Sequence, residues 1–333
     1  MTKGFCLYPD VDWMPIIERV LQAKSIHLIT HRLPDSDGIG SQIALFHALQ
    51  TLGKHVVMHN WDPIPRICRY LPRAELIGSS ITAPTPSCDL MFSLDAGSLA
   101  RLHISEAQRD ATTLINIDHH VSNTHYGHLN IVDARYCATG AMVFDLLTAM
   151  EIPLTAAMAQ ALYAAILTDT SSFQSSSVTA DVYRMAACLI DAGADAEVAA
   201  EHAYASHKVE RFTLLKESLN TLTLHDAQAS AWMHLTIPMF EQSSCTVEDS
   251  EGFIEYARSI AVVDITVLMC QLSIDSWKVT FRGKNSTNVG DLAIALGGGG
   301  HRYAAGCTLE GSESSIRAQL RAAVTQALEL QRS

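Results

Sequence analysis

The 333-residue chain contains no Cys-x-x-Cys pair and no apolar run approaching the roughly 20 residues that span a bilayer, and it is short of positive charge. Its eight cysteines, Cys6, Cys68, Cys88, Cys137, Cys188, Cys245, Cys270 and Cys307, are scattered. Several sit in apolar runs such as MAACLI and ITVLMC, so they read as small buried hydrophobes in a reducing compartment rather than as redox centres. The opening MTKGFCLYPDVDWM lacks a basic stretch followed by an apolar one, so we expect a cytoplasmic protein without a membrane segment. Against 35 acidic residues stand only 23 basic ones, a net charge of -12, which argues against a broad basic track for long nucleic acid. A short anionic substrate would have to be met by local positive charge, from metal ions or a few arginines. With 17% of residues charged and 48% apolar, extended disorder is excluded, and the length predicts about two domains.

From Ser25 to about Asp133, short β-type runs (SIHLIT, HVVMHN, CDLMFSLDAG, TTLINIDHH, HLNIVD) alternate with helical stretches such as SQIALFHALQTLG. Runs such as SIHLIT and DLMFSLD are nearly continuously apolar, which predicts an α/β domain with a mainly parallel sheet flanked by helices. Ligands of such sheets gather at the strands' carboxyl ends. Ala-rich helical segments follow from Thr139 to about Leu222, and the polar stretch LHDAQAS (224–230) predicts a boundary. We therefore expect a catalytic domain at 1–222, with its helical connector, and a smaller α/β domain at 230–333. In the latter, strands AWMHLTI, DITVLMCQLSI, SWKVTFRG and AGCTLEG alternate with helices VEDSEGFIEYARSI, NVGDLAIAL and SIRAQLRAAVTQALEL.

Four elements of the first domain end in residues that ligate metals. The first strand runs into His31, Asp35 and Asp37; a second ends at Asp95; a third in Asp118, His119 and His120; and Asp169 closes a hydrophobic helix. Asp35 and Asp37 alone would be explained by helix capping. Four such ends along one sheet edge point instead to a cation site, since imidazole and carboxylate suit Mn²⁺ and similar ions. In the second domain Gly298, Gly299 and Gly300, followed by His301, would let backbone N–H groups approach a phosphate closely, because glycine lacks the Cβ that blocks it. Arg282 ends a strand and could offer a forked contact to a phosphate. His125, His128, His47, His55, His59, His207 and His234 read as structural or solvated, and Tyr126 and Phe173 as packing rather than base stacking.

The order H-x-x-P-D-x-D-x-x-G-S, strand-D, D-H-H and helix-T-D-T resembles the four motifs of the DHH phosphoesterases. The tail FRGKNSTNVGDLAIALGGGGHRYAAG resembles their DHHA1 domain, and the likeness spans Ser25 to Gly306. It is greatest to the short, two-domain nanoRNase/pAp phosphatase (NrnA-like) enzymes rather than to the larger RecJ-type exonucleases. The resemblance implies that His31 and Asp35 hold one Mn²⁺, that Asp37, His119 and Asp169 hold a second, and that Asp95 bridges them, with Mg²⁺ or Co²⁺ as substitutes. It also implies that His120 contacts the scissile phosphate while Asp118 orients the site, and that Arg101 occupies a commonly basic, substrate-facing position. Gly283 departs from the pattern, since serine usually follows the arginine matched by Arg282. Two cations about 3.5–4 Å apart lower the pKa of a shared water and neutralise charge on a phosphoryl group. The implied activity is hydrolysis of dinucleotides and other very short oligonucleotides to mononucleotides, with removal of the 3'-phosphate of pAp. The alternatives are a pyrophosphatase or polyphosphatase, a cyclic dinucleotide phosphodiesterase, and a nucleotide sensor. Similar proteins are commonly homodimers.

Overall fold

Six segments of the first half of the chain form one parallel sheet in the computed structural model, which describes residues 5–79, 88–285 and 287–332. They are β1 (Ser25–Thr30), β2 (His55–Asn60), β3 (Gly78–Ser79), β4 (Leu90–Leu94), β5 (Thr113–Asp118) and β6 (Leu129–Val132), in the order β3-β2-β1-β4-β5-β6. All pairings are parallel. β1, β4 and β5 are buried along nearly their whole length, which is why their sequences do not alternate. The chain leaves β1 toward β3 and returns past β1 to β4, so a crevice opens between the carboxyl ends of β1 and β4, where such sheets bind ligands.

The helices of this unit are α1 (Met14–Gln22), α2 (Ser36–Thr51), α3 (Leu99–Leu102), α4 (Glu106–Asp110), α5 (Thr139–Ala149), α6 (Ala156–Asp169), α7 (Ala180–Asp191) and α8 (Ala196–Ala200). α2 and α6 are buried on nearly all sides because glycines let α2 sink into its surroundings. A Cβ on Gly38 would lie 2.2 Å from Thr30 Oγ1, and one on Gly40 would lie 2.3 Å from the carbonyl oxygen of Ala161 in α6. Gly40→Ala should therefore destabilise this unit by about 1–3 kcal/mol, as overpacking of a dense core does. An unchanged thermal midpoint would show that the two helices can part without cost. A buried amide pair fastens β2 to β1: Asn60 Oδ1 accepts from Thr30 N, and Asn60 and Gln42 exchange hydrogen bonds while Gln42 Nε2 donates to Leu28 O.

The chain divides after Ser206, and the second unit runs from His207. Its sheet is mixed, in the order β11-β12-β10-β9-β8-β7, with β7 (Thr223–His225), β8 (Ser230–Leu235), β9 (Ile265–Ser273), β10 (Ser276–Gly283), β11 (Gly299–His301) and β12 (Ala304–Glu310). The helices are α9 (Val209–Asn220), α10 (Ile237–Gln242), α11 (Ile254–Arg258), α12 (Val289–Ala295) and α13 (Glu313–Arg332). α13 packs Ile316, Leu320, Val324 and Leu328, one helical stripe, against Trp277, Val279 and Phe281.

Three local features differ from the sequence reading. The division falls ahead of 222–230, because α9 buries Leu214 and Leu215 among Met233, Leu235 and Phe253 of the second unit. The stretch expected as a linker instead holds the edge strand β7 and a turn in which Asp226, Ala227 and Gln228 are left-handed. The helix expected over VEDSEGFIEYARSI is broken at Gly252, whose φ of +81° ends one short turn before α11 begins.

Candidate metal centre

β1 delivers His31 to the crevice, and the next turn delivers Asp35 and Asp37 at the start of α2. Asp35 does cap that helix, accepting from Asp37 N at 3.0 Å and Gly38 N at 3.2 Å, yet it also stands 3.7 Å from His31 Nε2. Capping and site-forming are thus done by one carboxylate. Asp37 points the other way, toward the N-terminus of α5, where its oxygens accept from Thr139 N at 2.7 Å and Gly140 N at 2.8 Å. Asp95, one residue past β4, has a left-handed φ of +59° and is nearly fully buried. Its Oδ2 lies 3.4 Å from His31 Nε2, and its Oδ1 lies 3.7 Å from His119 Nε2 and accepts from Thr139 Oγ1.

His119 Nε2 also faces Asp37 Oδ2 at 3.6 Å and Asp169 Oδ2 at 3.5 Å, while its Nδ1 donates to the carbonyl of Tyr136. The ligand-type atoms accordingly fall into three groups, His31/Asp35/Asp95, Asp37/His119/Asp169 and Asp95/His119/His120, each within 4.8 Å, with Asp95 facing a histidine of each of the first two. His120 joins from the side: its Nδ1 lies 2.7 Å from Asp118 Oδ1 and 3.6 Å from Asp95 Oδ1. Asp118 is fully buried, held also by Asn123 Nδ2.

The electrostatics favour a cation. Burial, together with the charges of Asp95, Asp169 and Asp35, pushes the Asp37 carboxyl well above its ordinary value despite two backbone donors. Burial likewise raises Asp169 to about 6, where the nearby histidines only partly offset Asp95 and Asp35. Burial alone would lower the His31 imidazole, but Asp35 and Asp95 outweigh it and hold it up at about 10. Crowded carboxylates that must borrow protons from each other or from imidazoles fit a bound divalent ion, which would supply the missing positive charge. Four carboxylates and imidazole nitrogens converging in a buried crevice are an apt donor set for it.

Arg101 lies against this site, with Nη2 2.8 Å from His31 Nδ1. The Arg32 carbonyl lies at 2.8 Å from the same nitrogen and requires a donor. With Nε2 facing the carboxylates, Nδ1–H to that carbonyl is the pairing that leaves Nε2 aimed at the site, as is usual for a metal-ligating histidine, and the guanidinium merely abuts the ring. Arg282 is in the second unit; its Nε donates to Glu255 at 2.7 Å and its Nη1 to the Phe281 carbonyl. The Gly283 position is tight, since a Cβ would lie 3.0 Å from Thr287 O and the neighbouring backbone would have to give by a few tenths of an ångström. The glycine run is an edge strand, with Gly299 and Gly300 opposite Gly306 and Ala305. Gly298 and Gly300 could not carry a Cβ without meeting β12, whereas Gly299 faces open space. His301 pairs with Ala304 through its backbone, and its side chain lies outside the described residues. Thr139, Gly140, Asn123 and Tyr136 were missed by the sequence reading, because partners as far apart as Asp37 and Thr139, 102 residues distant, carry no local pattern.

An acidic, histidine-bearing crevice at the switch point of a parallel sheet, followed by a separate α/β unit, has the donor set of a metal-dependent hydrolase. Residues 25–166 match the model of the DHH family, N-terminal domain, and residues 232–330 that of the DHHA1 domain. The chain belongs to the DHH/DHHA1 phosphoesterase family. It is 32% identical over 303 residues to the bifunctional oligoribonuclease and PAP phosphatase NrnA of Thermus thermophilus, covering 90% of this chain and 89% of that one. It is 26% identical to the Mycoplasma pneumoniae protein of the same description, covering 89% and 91%. An exopolyphosphatase-related protein from Bacteroides fragilis has the same fold, with a TM-score of 0.82 at 23% identity over 95% of each chain. No helix among the described residues is long and apolar enough to cross a membrane.

Proposed function

We propose that the protein hydrolyses very short oligonucleotides, dinucleotides above all, to mononucleotides, and that it also removes the 3'-phosphate of pAp. The observation that carries this reading is the pairing of His31/Asp35 with Asp37/His119/Asp169 on either side of Asp95. These six residues would hold two Mn²⁺, favoured over Mg²⁺ because mixed imidazole and carboxylate donors are softer than the all-oxygen set Mg²⁺ prefers, with Mg²⁺ or Co²⁺ as substitutes. When bound, two such ions polarise the phosphoryl group and provide a nucleophile at neutral pH.

The chain's own residues do the rest. Asp118 fixes His120 through Nδ1 and, with Asp95 and Asp169, outweighs the burial that would lower its imidazole, holding it up at about 9. With Nδ1 engaged by Asp118, Nε2 is the His120 atom that would contact the scissile phosphate or its leaving group. Asp118, held down at about 2 by His120 and Asn123 against the effect of burial, remains its charged anchor. Arg101 adds positive charge at the rim, and in the second unit Gly298, Gly299, Gly300, His301 and Arg282 would meet substrate phosphate, the glycines by close backbone approach and Arg282 by a forked contact. The net charge of -12 favours short substrates over long ones, and the NrnA relatives support the same size class.

The test is turnover of a diribonucleotide, pAp and pyrophosphate by EDTA-stripped protein, with and without added Mn²⁺. We expect mononucleotides from the first and AMP from the second only when the metal is restored. Pyrophosphate hydrolysis with neither nucleotide turned over would overturn the assignment.

A further inference from the structure

Of the chain's four tryptophans, Trp13, Trp232 and Trp277 are 4%, 2% and 1% exposed and serve their cores, whereas Trp61 is left partly open to solvent. It follows the carboxyl end of β2, the strand beside β1, and so sits along the same sheet edge as His31. Its ring packs on the exposed imidazole of His103, with centroids 4.6 Å apart at 37°. His103 is the left-handed residue that ends α3, and its Nε2 lies 2.9 Å from Arg32 Nη1. Arg32 immediately follows His31, and its backbone N donates to the Arg101 carbonyl.

Asp62 locks this group to the ligand-bearing turn. One of its oxygens accepts from both Arg32 Nε at 3.3 Å and Leu33 N at 2.9 Å, so the loop carrying Trp61 and the turn between His31 and Asp35 are held in fixed register. The buried Asn60, next to Trp61, adds the bond to Thr30 N from beneath. An indole, an imidazole and a guanidinium are three flat groups, the last cationic, joined in series through His103 at the edge of a phosphoesterase site. A nucleobase offers the complementary flat π face, and stacking of this kind tolerates any base.

We propose that Trp61, His103 and Arg32 form a nucleobase-stacking subsite at the rim of the metal centre, which takes the base of the nucleotide joined to the hydrolysed phosphate. The subsite rests on the nucleotide-hydrolase reading above and gives it a substrate determinant: a base adjacent to the scissile bond, of any identity, is recognised by its face. A phosphate ester without a base gains nothing from it.

Trp61→Ala should lower kcat/KM for a diribonucleotide about tenfold, mainly through KM, and leave hydrolysis of the matching abasic dinucleotide unchanged. Trp61→Phe should retain most of the activity. In the Mn²⁺-loaded protein, AMP should quench the tryptophan emission contributed by Trp61, measured as the difference between wild type and Trp61→Phe, and ribose 5-phosphate should not. Equal losses on base-bearing and abasic substrates, or no loss on either, would overturn the subsite, as would equal quenching by AMP and ribose 5-phosphate. If no nucleotide is turned over at all, the proposed function falls, and the quenching comparison alone decides whether a base is bound here.

Discussion

Asp95→Asn is expected to cut kcat/KM on a diribonucleotide by about 1000-fold, the scale of the several kcal/mol that losing a carboxylate proposed to bridge two cations would remove from phosphoryl-charge stabilisation. The same substitution should leave the metal-free protein as stable as the parent, or more so. The reason is electrostatic: the Asp95 charge raises the carboxyls of both Asp37 and Asp169, so neutralising it relieves a repulsion that balances the attraction it loses to the His31 and His120 imidazoles. Asparagine is suited to the position, since it tolerates the +59° φ and its amide oxygen can keep the bond from Thr139 Oγ1. Steady-state rates with Mn²⁺, and thermal melts in EDTA, read the two effects separately. Retained turnover would remove Asp95 from the bridging position, and a large drop in the EDTA melt would show that its role is structural.

Asp145→Ala should destabilise the first unit by about 3 kcal/mol. Asp145 lies fully buried on α5, and its carboxylate accepts from Leu7 N, Tyr8 N and the Tyr136 hydroxyl. Removing it leaves three donors without that acceptor, each worth about 1 kcal/mol or more where water cannot reach. Tyr136 links this anchor to the site, because its carbonyl accepts from His119 Nδ1. Chemical denaturation of the variant, followed alongside Mn²⁺ affinity, should show both stability and metal binding reduced. A loss below about 0.5 kcal/mol would mean that the N-terminal segment is held by its apolar contacts instead.

The parallel sheet was readable because its signal is local. β1, β4 and β5 are mostly apolar runs that lead into His31, Asp95 and Asp118, and a buried strand that stops at a ligand-type residue says both what it is and where its carboxyl end lies. The glycine run was readable only as a phosphate-approaching loop. Its position as an edge strand, with Gly298 and Gly300 barred from carrying a Cβ by β12, depends on a neighbour that comes later in the chain. Arg282 reads as an open cation at a strand end until Glu255, from a helix broken at Gly252, is seen to hold it.

The sequence by itself determined the strand-end positions of His31, Asp95 and Asp118, the cap at Asp35 and the order of the motifs, because propensity, capping and apolar periodicity act within a few residues. Only the tertiary structure decided that Asp37 turns from its own helix toward Thr139 and Gly140, that Asp95 stands between two histidines, and that Trp61 meets His103 beside Arg32. Those contacts join segments separated by whole crossovers. They follow from the order in which parallel strands are laid side by side, which no spacing within one segment encodes.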